Sequence, residues 1–192
     1  MEYFVVKYTG PFGFIKPWSA VRDGETYSQQ FLSPSIVEGM EKKLFPELLS
    51  QKGIYKIARH KLSYNGISVQ QEKTQTQGYK PLNRGKSYIR ENSIIKRGVM
   101  LEPKLLLAFT AEEDALVASR QHLCLCRNED VVLPDPKIIR MTEKEFDDLV
   151  GFELRFESNK SDSFMVGLNR FDDYAPMYGR IEIGGEAVLS TE

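Results

Sequence analysis

Cysteine and histidine are scarce: the 192 residues hold two of each, and the single tryptophan is Trp18. Two cysteines, spaced Cys124-x-Cys126, cannot build a disulfide framework, so a reducing, cytoplasmic setting is expected. No apolar run approaches the roughly 20 residues a membrane helix needs, and the N-terminus shows no signal-peptide core. Phosphate-cradling loops are missing as well. Gly184-Gly185 is not followed by a helix opening on Lys-Ser/Thr, and Gly10-x-x-Gly13 lacks a third glycine at dinucleotide-binding spacing, so no nucleotide cofactor is expected. Net charge is nearly absent, with 26 basic residues against 27 acidic ones, a formal −1. At 41% apolar and 28% charged, the composition excludes collagen-like, mucin-like and wholly disordered chains. The length fits one domain, or one domain with a long excursion, and can bury a real core.

The charge that is present is unevenly placed. Between Lys56 and Arg97 lie ten basic residues and only two acidic ones, Glu72 and Glu91, a net +8. The other 150 residues carry 16 basic and 25 acidic residues, a net −9. Near-neutrality therefore conceals a strongly dipolar chain, and such a basic block suits a polyanion. Tyr64, Tyr79 and Tyr88 interleave with its cations, and Gly66, Gly78 and Gly85 loosen the backbone beside them. Cations that neutralise phosphates next to rings that stack on bases are what single-stranded RNA binding requires. A solvated, lysine-rich surface excursion is the plainer alternative.

Tyr3–Tyr8 is β-branched and aromatic and reads as an opening strand, followed by a Gly- and Pro-punctuated loop to Gln30. Ser33-Pro34-Ser35 predicts a helix start with Ser33 as N-cap, and Ile36, Val37, Met40 and Leu44 make its apolar face up to Pro46. A strand is expected over Ile54–Leu62. Residues 63–93 carry too few aliphatics to bury much and read as an extended hairpin or a mobile loop. Leu105–Phe109 suits a central strand, and His122–Cys126 another. Thr142-Glu-Lys-Glu145 is a capping box for a short helix stopped by Gly151. Phe152–Phe156 alternates as a strand, and Met177–Leu189 reads as a last strand pair bent at Gly184-Gly185. The sum is an α+β fold: an antiparallel sheet with helices on one face, ferredoxin-like in kind, and a basic excursion.

Catalytic and metal-binding patterns are thin. His122, Cys124 and Cys126 on one strand face would stand about 6.5–7 Å apart, too spread to close on one zinc, so no metal is expected. His60 lies between Arg59 and Lys61, which would lower its pKa and suit phosphate contact or metal-free RNA cleavage. Asp147-Asp148 and Asp172-Asp173 are adjacent and point apart, so neither makes a paired-carboxylate site. Trp18, beside Lys16 and Arg22 and just before a helix start, is either a phosphate-and-base contact or an apolar plug for its loop.

Three segments in order carry a resemblance. They are Gly10-Pro-Phe-Gly-Phe-Ile-Lys-Pro-Trp18, Phe31-Leu-Ser-Pro-Ser-Ile-Val-Glu-Gly39 and Leu123-Cys-Leu-Cys-Arg-Asn-Glu-Asp-Val131. Together with the basic block between them, they resemble CRISPR-associated Cas family 5 of the RAMP superfamily, over most of residues 3–135. The third segment departs from the family's pattern, with Cys126 where a glycine is usual and Asn128 where a serine is. The resemblance implies a single RAMP-type domain over 1–192 with a ferredoxin-like, RNA-recognition-type fold. Residues 63–97 would be a protruding β-hairpin thumb. It implies a subunit that caps one end of a type I Cascade complex, grips the 5′ handle of the CRISPR RNA and contacts backbone and large subunits. Target DNA would be met only through the complex, and no membrane. The RNA-binding residues implied are Lys16, Trp18, Arg22, Ser33, Ser35, Arg59, Lys61, Tyr79, Arg84, Lys86, Tyr88, Arg90 and Arg127. One subtype of the family cleaves precursor RNA with a Tyr after the first helix and a Lys-His pair. Here Leu44-Phe45-Pro46 offers no hydroxyl and His60-Lys61 is reversed. A non-catalytic subunit without cofactor is therefore expected, with a metal-independent endoribonuclease as the alternative.

Overall fold

Strand β1 (Glu2–Thr9) has its side chains divided by parity, which sets the two faces of the main sheet. Phe4, Val6 and Tyr8 meet the larger apolar cluster, and Tyr3 and Val5 meet a smaller one on the opposite face. Strand β7 (Lys104–Phe109) pairs antiparallel with β1 and divides the same way, Leu105, Leu107 and Phe109 against Leu106 and Ala108. Its run of apolar residues is unbroken because both faces are covered. β4 (Ile57–Ser63) flanks β7, and β11 (Gly151–Phe156) joins β4 through the single pair Phe152 and Leu62. β13 (Ala175–Gly184) and β12 (Phe164–Asn169) continue the sheet outward. On the other side of β1 lie β10 (Ile139–Thr142) and β9 (Val131–Pro134), with β8 (Leu123–Cys124) beyond β9. The computed structural model describes residues 1–19, 24–156 and 161–188, the side chains of 76 and 77 excepted. Every pairing in this sheet is antiparallel and a few helices pack against it, an α+β architecture.

Helices α1 (Pro34–Leu44) and α2 (Glu112–Ala118) share the larger cluster, inserting Val37, Met40, Leu44, Ala115 and Ala118. Tyr8 Oη reaches across to donate to the Ala118 carbonyl at 2.7 Å. Helix α3 (Glu143–Asp147), opened by the expected Thr142–Glu145 capping box, lies on the opposite face. Its Phe146 ring meets Tyr3 edge-on at 5.8 Å. Helices on one face only is thus corrected, because Tyr3, Val5 and Ala108 are apolar and need a cover of their own. Ser33 occupies the cap position of α1 with extended backbone, but its hydroxyl lies 3.3 Å from Ser35 Oγ and bonds no helix amide. The last strand pair is also corrected: β13 is one strand ending at Gly184, and Val188 beyond it makes a single bridge to Tyr64.

Among the described residues Tyr55 and Lys56, on the approach to β4, belong to no strand ladder, and α1 supplies an acceptor for their amides and for that of Ile57. Fully buried Glu41 accepts from the amides of Tyr55, Lys56 and Ile57 at 2.9, 2.6 and 2.8 Å. Glu38, one turn earlier, accepts from Gly53 N at 3.0 Å and from Lys42 Nζ at 2.7 Å.

β5 (Gly66–Leu82) and β6 (Ser87–Leu101) form a long antiparallel hairpin closed by a 3-10 turn over Asn83–Gly85. Its base is held by β2 (Phe12–Gly13), antiparallel at Met100 and Leu101, and by β3 (Glu25–Tyr27), parallel at Lys96–Gly98. A Cβ on Gly98 would stand 2.2 Å from the Tyr27 ring, so any larger residue here would have to displace that ring. Val99 and Met100 are fully buried, whereas residues 79–92 are exposed throughout. Between Lys73 and Ile94 each strand pairs only with the other among the described residues. At the rise of a β-strand, the seven steps from Ile94 to Ser87 plus the turn span about 25–30 Å. No helix among the described residues is long and apolar enough to cross a membrane.

Candidate nucleic-acid interface

The hairpin carries Lys73, Lys80, Arg84, Lys86, Arg90, Lys96 and Arg97 against Glu72 and Glu91, a net +5. The expected +8 shrinks because Lys56, Arg59 and Lys61 belong to the body. Lys56 pairs with Glu47 at 3.2 Å and Asp114 at 2.8 Å. Opposite residues in an antiparallel pair share a face, so the register sorts the hairpin side chains. Tyr79 opposes Arg90 and Pro81 opposes Tyr88, while Lys73 opposes Ile94. Residues 76–78 of β5 face Glu91 alone. The two extra residues are an even number, so the alternation of faces passes through the irregularity unchanged. One face then bears Lys73, Tyr79, Tyr88, Arg90 and Lys96. The Arg90 guanidinium sits 4.7 Å from the Tyr79 centroid. On the other face Lys80 meets Glu91 at 2.5 Å and Arg97 meets Glu72 at 3.4 Å. Arg84 stands at the turn with φ 57°, exposed, and Lys86 closes the same turn.

On the body, Lys16 is exposed and Trp18 is half exposed. The Trp18 side chain rests on Gly167, where a Cβ would lie 3.3 Å away, so both loop anchoring and a free ring surface are present. With Phe31, Phe152, Ile181 and Ile183 it borders a cavity of about 440 Å³. Arg22 lies outside the described residues. Ser33 is buried, whereas Ser35 lines a second cavity of about 320 Å³ beside Lys43, Cys126, Asn128 and Arg170. Arg127 directs its fork at buried Asp130, with two contacts at 2.7 Å, and lies 5.2 Å from the Phe14 centroid. Its first task is to fix the turn after β8.

Two expected RNA contacts are corrected. Arg59 is 4% exposed, and its Nε and one terminal nitrogen each donate to Glu153 at 2.6 Å, the latter also to Asp147 at 2.7 Å. Burial works against its charge, but the two carboxylates more than offset it and raise its pKa. Lys61 is equally buried and donates to the Asp147 and Leu149 carbonyls at 2.8 and 2.7 Å. Both side chains leave β4 on the face that α3 covers, Arg59 pairing mainly with Glu153 of β11 and Lys61 binding the carbonyls at the end of α3. His60, between them, faces the larger cluster, 3% exposed and stacked on Phe156 at 5.2 Å. Burial, then the charges of Arg59 and Arg155, push its pKa down to about 3. The strand expected over His122–Cys126 shortens to β8, with His122 and Cys126 exposed. Among the described residues no cluster of three His, Cys, Asp or Glu side chains is placed to hold a metal.

Sequence reasoning missed Lys43 and Arg170. Arg170 reaches the Ser35 cavity from the β12–β13 connection and stacks on Phe171 at 4.6 Å. Its terminal nitrogen lies 2.8 Å from where a Gly39 Cβ would be. The available signal was Gly39 itself, because glycine inside a helix costs about 1 kcal/mol relative to alanine and needs a reason.

No protein-family model matches the chain, and neither does any curated protein. Among solved structures it is similar to a chain of a "CRISPR RNA-guided surveillance complex", with TM-score 0.54 and 16% identity over 95% of this chain and 90% of that one. That likeness is one of fold.

Proposed function

We propose that the chain is a non-catalytic RNA-binding subunit of a Cascade-type CRISPR complex, a cytoplasmic ribonucleoprotein. In it the chain grips the 5′ handle of the CRISPR RNA and contacts backbone and large subunits. The observation that carries this reading is the hairpin: net +5, aromatic, and extending about 25–30 Å past its last strand pairing with the body among the described residues. In this role it is the thumb. The element order β1-α1-β4-β7-α2-β9, laid out in space as β4-β7-β1-β9, supports a ferredoxin-like core to which the hairpin is an insertion. The sequence resemblance to Cas family 5 and the fold likeness to a surveillance-complex chain point the same way. Residues 1–192 then act as one RAMP-type domain.

Affinity on this reading comes chiefly from phosphate neutralisation, and specificity from splayed bases read at the body loops. The ribonuclease alternative loses His60, which is buried and neutral, and keeps only His122. The test is retention of a repeat-derived RNA by the wild type and by Arg84→Gln/Lys86→Gln/Arg90→Gln across a salt series. Each lost single-strand phosphate contact lowers the slope of log affinity against log salt by about 0.7, so three lower it by about 2. Unchanged retention and slope would overturn the thumb assignment. Cleavage of that RNA in EDTA, abolished by His122→Ala, would overturn the non-catalytic reading.

A further inference from the structure

We propose that RNA runs along one face of the hairpin only, and that Tyr79 and Tyr88 on that face hold a single unstacked base between them. This rests on the RNA-binding reading above and specifies where on the hairpin the strand lies.

Charge is segregated between the two faces. The face of Tyr79 and Tyr88 carries Lys73, Arg90 and Lys96 and no hairpin acid; among the described residues Glu25 of β3 pairs with Lys96, at 3.6 Å. On the reverse face each cation is answered by one of the hairpin's two acids, in the pairs Lys80–Glu91 and Arg97–Glu72. A phosphate approaching the reverse face meets paired charges and carboxylate repulsion. On the aromatic face it meets cations with no hairpin acid beside them. Arg84 and Lys86, at the turn, sit at the end of either path.

The ladder spacing of the two residues admits the clamp. Tyr79 opposes Arg90, so Tyr88 is its diagonal neighbour one row toward the turn. Diagonal cross-strand neighbours stand about 7–8 Å apart. A planar base in van der Waals contact with a ring on each side needs two separations of about 3.5–4.0 Å, the same span. Both rings are largely open, with Tyr79 58% and Tyr88 63% exposed. Arg90 backs Tyr79 and places a cation beside the phosphates of whatever base is held.

The test compares charge-matched pairs in the full chain with a single-stranded repeat RNA. Lys73→Gln/Arg90→Gln should weaken binding at least 10-fold and lower the salt slope by about 1.4, while Lys80→Gln/Arg97→Gln should change affinity less than 2-fold. Equal losses from both pairs would overturn the one-faced path and leave the RNA reading intact. No loss from either would overturn the RNA reading itself. For the clamp, Tyr79→Ala and Tyr88→Ala should each weaken binding roughly 5- to 150-fold. The double variant should lose little more than one single, because both rings serve one base. Tyr79→Phe/Tyr88→Phe should bind like wild type. Additive losses, or losses from the phenylalanine pair, would overturn the clamp.

Discussion

Removing the Arg59 side chain should destabilise the protein without touching RNA affinity. Glu153 is 2% exposed and Arg59 4%, so neither charge has water to fall back on. Breaking a buried pair by deleting one partner costs about 3–5 kcal/mol, because the surviving charge stays buried and uncompensated. Arg59→Ala leaves Glu153, among the described residues, with Arg155 as its ion-pair partner, at 3.4 Å and itself partly exposed. For a chain of this length that loss is worth about 6–20 °C in melting temperature. Glu153→Ala should fall in the same range, since Arg59 keeps only Asp147, which is half exposed. Arg59→Met/Glu153→Leu, which removes both charges and keeps the volume, should return to within about 1 kcal/mol of wild type. Urea unfolding of the four proteins puts these costs on one scale, and RNA retention is measured on the double variant while it is folded. A cost for Arg59→Ala below about 1 kcal/mol, or RNA binding lost in a stably folded double variant, would refute the assignment of Arg59 to the core.

Other outcomes follow from single residues. His60 has a folded-state pKa far below its unfolded value of about 6.5, so the unfolded chain takes up a proton that the native chain refuses. Its neutrality costs nothing above pH 6.5, and stability falls by about 1.4 kcal/mol per pH unit below it, down to about pH 3. At pH 5, wild type should have lost about 2 kcal/mol that His60→Phe does not lose, read from urea midpoints; parallel pH profiles would refute it. Gly184→Ala would put a Cβ 2.3 Å from the Leu149 carbonyl that Lys61 holds, and should cost about 1–3 kcal/mol in thermal unfolding. A two-stranded ribbon exposed on both faces is marginal in water. Amides 73–94 should therefore exchange far faster than those of β1 and β7 in the free protein and slow when RNA is added. Protection of that ribbon without RNA would mean that something else covers it.

Local rules recovered the segments whose partners lie nearby. The opening strand, the Pro34 helix start and its end at Pro46, the Thr142 capping box and the strand after Gly151 all follow from turn and capping chemistry within a few residues. Short elements with little periodicity did not show. Helix α2, only Glu112–Ala118, is held by Ala115 and Ala118 against β1 and β7 and has no cap side chain to announce it. β12 is fixed by its pairing with β13 rather than by its own pattern. For the candidate site, linear charge counting found the hairpin cations but could not separate them from Arg59 and Lys61. A strand presents alternate residues to opposite faces whatever their charge, and Glu153, 94 residues from Arg59, decides which way it is used. The tyrosine face was equally out of reach, since it depends on the cross-strand register and on an irregularity of two residues.

Glu41 bears on how the chain reaches this structure. The segment at residues 55–57 has its amides bound to a carboxylate only 14 to 16 residues earlier in the chain. Closing a loop that short costs little entropy, so α1 and the start of β4 can form a local unit before any long-range strand pairs. The order matters for the hairpin, which leaves the body directly after β4. A strand already seated by its own helix fixes the point of departure, and the exposed ribbon, rich in unpaired edge, emerges from a settled base rather than from an open chain. Glu41→Gln, which removes the charge and one acceptor oxygen but not the shape, would then slow folding more than it speeds unfolding, as expected of a contact made in the transition state.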